Sequence, residues 1–151
     1  MRFEELVEGF DRLVEDHHHV DVHWFPRTEW ALVKRNDRTL DPPAPLSRAR
    51  AYLEDHLLAN RVFALMNRVG DAAPRTIPTM NRLAARALSA RSYTDTAPRV
   101  FVAERLVRFR EMEYAVPREA GMAALREARR LIERSDWPIT FPVEVRSTAV
   151  K

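Results

Sequence analysis

The sequence predicts an α+β fold: a mostly antiparallel sheet with helices on one face. Three observations predict it. Several segments repeat apolar residues at helical steps of three and four. Others alternate apolar and polar residues at period two. Their order is helix, two strands, two helices, strand, helix, strand, which is an α+β arrangement. The 151 residues fit one domain, and a composition 46% hydrophobic and 31% charged supports a buried core.

Phe3, Leu6, Val7, Phe10, Leu13 and Val14 line one face of a helix over 3–16. Glu4, Glu5 and Glu8 load its first turns with charge of the sign the helix dipole favours. Val20, Val22 and Trp24 alternate with Asp21, His23 and Phe25, a strand that Pro26 ends. A second run over 29–38 puts Trp30, Leu32 and Lys34 on one face, and the short spacer between the runs suits a hairpin.

Residues 41–45 (DPPAP) form a stiff linker. A helix over 47–69 follows, with Ser47 as N-cap and Gly70 as stop. Thr79 caps a further helix reaching about Ala90. Residues 105–116 read as a strand ended by Pro117. Val107 and Phe109 have one parity, and Met112, Tyr114 and Val116 the other; a bulge or burial on both faces accounts for this. Residues 118–134 form the last helix, carrying Met122, Leu125, Ala128, Leu131 and Ile132. Residues 139–145 form the last strand, with Phe141, Val143 and Val145 on one side and Glu144 and Arg146 on the other.

Composition excludes several functions. There is no cysteine, hence no disulfide, thiol catalysis or Cys-ligated metal. The only glycines, Gly9, Gly70 and Gly121, lie too far apart to build a local phosphate loop. No apolar run approaches the ~18 residues that span a bilayer, and the N-terminus is acidic rather than signal-like. A cytoplasmic location is therefore the expectation. Lys+Arg is 25 against 22 Asp+Glu, a net charge of +3. Helical arginines suggest a nucleic-acid surface, but acidic residues are interspersed and no basic run exceeds a pair, which argues against one.

Glu144 and Arg146, at i and i+2 of a strand, share a face. A carboxylate beside a guanidinium can hold a hydroxylated substrate, accepting from hydroxyls and donating to a carbonyl or oxyanion. Spacing alone favours the plainer reading, an exposed ion pair worth ~0–1 kcal/mol. Lys34, Asn36 and Arg38 share a polar strand face, as do Glu111 and Glu113. His17, His18, His19 and His23 read as a solvated turn rather than a metal site, for want of a fixed carboxylate partner. Trp24 and Trp30 read as core.

The segments WFP (24–26), ALVKRNDRT (31–39), MNRLAARALSARSYTD (80–95), RFREMEYAVPRE (108–119) and FPVEVR (141–146) occur in this order and at these separations. Together they resemble the C-terminal domain of the sugar-1,4-lactone oxidoreductases, the D-arabinono-1,4-lactone oxidase and L-gulono-1,4-lactone oxidase or dehydrogenase family. The resemblance implies a flavoprotein of the vanillyl-alcohol oxidase type, in which this cap domain lays a sheet over the flavin of FAD. It implies oxidation of D-arabinono-, L-gulono- or L-galactono-1,4-lactone by hydride transfer to flavin. The family's Glu-x-Arg pair falls on Glu144 and Arg146, the expected catalytic residues. Glu113, Lys34 and Asn36 are expected to assist in substrate binding, although Glu113 also reads as a structural salt bridge to nearby arginines.

By the same resemblance, residues 1–151 are expected to be the substrate domain alone, incomplete at its C-terminus and lacking the FAD-binding domain. Activity would then require a separate FAD-binding chain or domain, and the exposed sheet is expected to self-associate. Peripheral attachment to a membrane stays open. The competing readings are an inactive or structural fragment of such an enzyme and, behind it, a basic nucleic-acid-binding domain.

Overall fold

The computed structural model describes residues 1–53, 60–87, 90–102 and 106–147. Helix α1 (Phe3–Asp16) leads into strand β1 (His19–Trp24), which turns back into β2 (Ala31–Asn36). Helices α2 (Arg48–Ala51), α3 (Phe63–Ala72), α4 (Ile77–Ala87) and α5 (Ala97–Phe101) follow, then α6 (Arg118–Arg134) and strand β3 (Val143–Arg146). Among the described residues the sheet has three strands in the order β2-β1-β3. Both pairings are antiparallel, so β1 is central.

One face of this sheet makes the core. Val20, Val22 and Trp24 of β1 and Ala31 of β2 are buried with Phe3, Leu6, Val7 and Phe10 of α1 and Leu125 and Ile132 of α6. Val33, Val143, Val145, Met122 and Ile139 pack against them. Phe3 meets Trp24 edge-on, 5.3 Å between ring centroids, a geometry the aromatic quadrupoles favour. The Trp24 indole N–H, buried with its ring, donates to the Thr28 carbonyl at 3.0 Å. The apolar positions of α1 and most of those of α6 therefore pack against the sheet face that period-two alternation assigns to the core; Leu131 of α6 does not, being 54% exposed.

The hairpin turns over Pro26–Glu29. Arg27 takes the left-handed conformation (φ 62°), which costs a non-glycine residue. Its guanidinium donates to the Ser135 carbonyl. The Thr28 hydroxyl donates to the Phe25 carbonyl at 2.8 Å, which fixes the turn. The Asn81 amide of α4 donates to the Pro26 and Ile139 carbonyls, both at 3.1 Å. One buried side chain thereby ties α4 to the end of the hairpin and to the approach of β3.

Several expectations are corrected. Residues 106–116 form no strand; they run irregular and exposed, with Met112 and Tyr114 projecting into solvent. Strand composition is not enough where no neighbouring strand supplies hydrogen bonds. Arg105 lies outside the described residues. The last strand begins only at Val143, because the chain bends at Phe141 and Pro142 has no N–H to give. Phe141 leaves the sheet core and packs against Phe63 (4.6 Å) and Phe109 (4.8 Å).

Ser47 does cap α2, accepting from the Arg50 N–H at 3.4 Å, but positions 54–59 of the expected helix lie outside the described residues. Gly70 is not its stop, since α3 continues to Ala72. A Cβ there would sit 3.0 Å from the Thr140 methyl and 3.2 Å from Ile77, so the glycine permits close approach. Helix α4 starts at Ile77, two residues before Thr79, and Ala90 is not helical. Trp30 is 43% exposed, not core, and lies under the Arg2 guanidinium.

Candidate functional site

The opposite sheet face is polar. Residues paired across antiparallel strands point the same way. The register pairs Asp21 with Lys34 on one side and Arg146 on the other. It pairs His23 with Leu32 and Glu144, and His19 with Asn36. Glu144, Arg146, Lys34 and Asn36, all singled out from sequence, therefore share one face with Asp21 and His23. The intervening Val22, Val33, Val143 and Val145 anchor the same strands in the core.

Glu144 and Arg146 are joined directly. The Arg146 Nε–H donates to Glu144 Oε1 at 2.9 Å. Asp21 Oδ1 lies 4.0 Å from the same Nε, so the guanidinium stands between two carboxylates. His23 Nε2 lies 3.8 Å from Glu144 Oε1, and its side chain is only 12% exposed. The hydrogen bond and charge of Glu144 raise the Arg146 pKa, with smaller contributions from Asp21 and Glu113. Arg146 is accordingly protonated at any physiological pH.

Its anchoring is one-sided. Arg146 is held through Nε, and among the described residues neither Nη group has a protein hydrogen-bond partner. The side chain is 62% exposed. Two N–H pairs thus face solvent from a fixed plane, a fork that suits a carbonyl, carboxylate or oxyanion.

The weaker candidates differ. Lys34 is exposed on this face, and Asn36 is half-buried at its end. Glu113 does not share a strand with anything, yet its charge is felt at Arg146. Sequence reasoning missed Asp21 and His23. Their alternation with Val20, Val22 and Trp24 was visible, but their pairing with Arg146 and Glu144 is set by a register between distant segments. The cavities lined by Arg27 and Trp137, and by Arg12 and His17, contain none of these residues.

The histidine turn has the carboxylate partner that sequence reasoning did not find. His17 Nδ1 lies 2.7 Å from Asp37 Oδ2, and His18 Nδ1 lies 3.2 Å from Asp37 Oδ1. The His18 backbone N–H also donates to Oδ1 at 2.9 Å. No group of three or more His, Asp or Glu among the described residues has the arrangement of a metal site. No helix among them is long and apolar enough to cross a membrane.

L-gulono-1,4-lactone dehydrogenase of Mycobacterium tuberculosis, in strains CDC 1551 and H37Rv, is 34% identical over 145 residues, covering 96% of this chain. The chain spans 34% of the length of those relatives. No solved structure matches it. The D-arabinono-1,4-lactone oxidase family matches over residues 1–151, the entire sequence. With that match and that identity, the chain belongs to the D-arabinono-1,4-lactone oxidase family.

Proposed function

We propose that this chain supplies the lactone-binding face of an FAD-dependent oxidoreductase acting on aldono-1,4-lactones. The observation that carries the reading is the one-sided anchoring of Arg146, fixed by Glu144 with both Nη groups directed outward. Glu144 accepts hydrogen bonds from substrate hydroxyls and fixes which carbon is presented. Arg146 donates to the lactone carbonyl and stabilises negative charge that develops there. Lys34 and Asn36 extend the polar face along β2, and Glu113, in the segment before α6, adds its charge at Arg146. The name of the mycobacterial relatives supports a gulonolactone-like substrate.

The resemblance implies FAD, which would supply the redox chemistry. The residues described here do not fit its pyrophosphate. All three glycines lie inside helices, Gly9 in α1, Gly70 in α3 and Gly121 in α6, and none has a positive φ. We therefore assign this chain binding and orientation only, with the cofactor held by a further domain or partner chain.

The test is to join this chain to the remaining portions of the mycobacterial enzyme and assay aldonolactone oxidation. Arg146→Ala should lower kcat/KM by roughly ten- to more than a hundredfold, the worth of a hydrogen bond from a charged donor. Glu144→Ala should act chiefly on KM, and Arg126→Ala on α6 should do little. Full activity in both strand variants would reduce the pair to a surface salt bridge.

A further inference from the structure

We propose that Asp21 is a second hydroxyl-binding carboxylate of this face, so that the lactone is read by an acceptor–donor–acceptor row of Glu144, Arg146 and Asp21. The inference rests on the lactone-binding reading above and extends it to a residue on a different strand.

Three observations carry it. Asp21 sits directly opposite Arg146 in the β1–β3 register, with its side chain on the polar face. Its Oδ1 is 4.0 Å from Arg146 Nε, too far for a hydrogen bond but close enough for attraction. Among the described residues its carboxylate makes no hydrogen bond, though the side chain is only 24% exposed. A carboxylate removed from most of its water keeps partners wherever it can find them. Here both oxygens retain their acceptor capacity and lie next to a cation whose own Nη donors are also unclaimed.

The arrangement suits a polyhydroxylated ring. Glu144 accepts from one hydroxyl, Asp21 from a second, and the Arg146 fork donates to the carbonyl between them. Neighbouring strands lie about 4.8 Å apart. Carboxylates on adjacent strands can therefore reach hydroxyls on different carbons of one sugar lactone. A ligand with a single hydroxyl would satisfy only one of them. Asp21 thus favours aldonolactones over simple hydroxy-lactones.

The test is a titration of the full chain with L-gulono-1,4-lactone, followed by NMR through backbone amides of β1 and β3 and the Arg146 Nε–H resonance. Asp21→Asn should weaken binding about ten- to hundredfold while leaving the Arg146 resonance in place, since Glu144 still holds it. Among singly deoxygenated lactones, one should bind wild type and Asp21→Asn equally. If Glu144→Gln weakens binding and Asp21→Asn does not, Asp21 is no ligand and the proposal is overturned while the lactone-binding reading stands. If Asp21→Asn displaces the Arg146 resonance and weakens every analogue alike, Asp21 only positions Arg146, and the proposal again fails. If the wild-type chain shows no shifts on this face, the reading fails and takes the proposal with it.

Discussion

The Arg129 guanidinium lies 4.5 Å over the ring of Phe3, so a cation on α6 covers the most deeply buried aromatic of α1. The same group bonds Glu133 at 2.7 Å and Glu29 at 2.5 Å, and Glu4 lies 3.6 Å away. Its side chain is only 13% exposed. Burial alone would lower its pKa; Glu133 and Glu29 together outweigh that and raise it. One side chain thus links α6, α1 and the hairpin.

Arg129→Ala should therefore destabilise the fold by about 2 kcal/mol, from the lost cation–π contact and from carboxylates left without a partner. Arg129→Lys should recover only part, because a point charge cannot serve Glu133 and Glu29 while lying flat on Phe3. Urea denaturation at neutral pH measures both, and a change under ~0.5 kcal/mol for Arg129→Ala would show the cluster to be an ordinary surface network.

Asn81 is 1% exposed and donates to two carbonyls. Asn81→Ala should cost about 2–3 kcal/mol, since both acceptors lose their donor inside the protein. Asn81→Asp, nearly the same shape, should be at least as harmful at pH 7 because a carboxylate cannot donate. Its deficit should shrink as pH falls and the group gains a proton. A flat pH response of Asn81→Asp relative to wild type would contradict the assignment of Asn81 as donor.

Asp37 is held at a pKa of about 2, below its ordinary 3.8, by the His18 backbone N–H first and then the His17 side chain. A depressed carboxylate pKa means that the folded state binds its proton less readily than the unfolded chain. The stabilisation is full above pH 3.8 and fades as pH falls through about 2. Wild type should lose stability between those limits more steeply than Asp37→Asn, which has no such proton to bind. Denaturation midpoints at closely spaced pH values test this, and parallel curves would exclude the linkage.

Gly70→Ala sets two effects against each other. Alanine favours a helix by ~1 kcal/mol over glycine. The new methyl, however, would meet the Thr140 methyl at 3.0 Å and Ile77 at 3.2 Å. Thr140 cannot easily rotate away, because its hydroxyl bonds Asn67 at 2.5 Å. Gly70→Ala alone should destabilise by about 1 kcal/mol, as overpacking does. In the Thr140→Ser background, which removes the obstructing methyl and keeps the hydroxyl, the cost should largely disappear. Calorimetric melting of the four proteins in this cycle checks it.

What the sequence reveals follows the range over which each signal acts. Helices α1 and α6 were legible because amphipathic spacing is local and most of their apolar positions are buried as spaced, with Leu131 the exposed exception. Glu144 and Arg146 were legible because two residues in one strand share a face wherever that strand lies. Asp21 and His23 were not, because their partners come from a register joining residues more than a hundred positions apart. The segment around Met112 and Tyr114 was misread for a related reason: aromatic and branched residues describe a chain able to pair, and only a neighbour makes it a strand. Gly70 shows the remaining ambiguity, since a missing Cβ serves a helix end or a close contact, and sequence does not say which.

The valines that pin β1 and β3 alternate, one for one, with the charges of the candidate site. A slip of one residue in that pairing would turn Glu144 and Arg146 inward and expel Val143 and Val145. An ion pair forced against Trp24 and Phe3 would cost several kcal/mol, so the slipped arrangement cannot persist. Misassembly of the binding face is thus coupled to collapse of the core. The sheet proofreads its own recognition surface, and a folded molecule carries its charges in the right places as a condition of being folded.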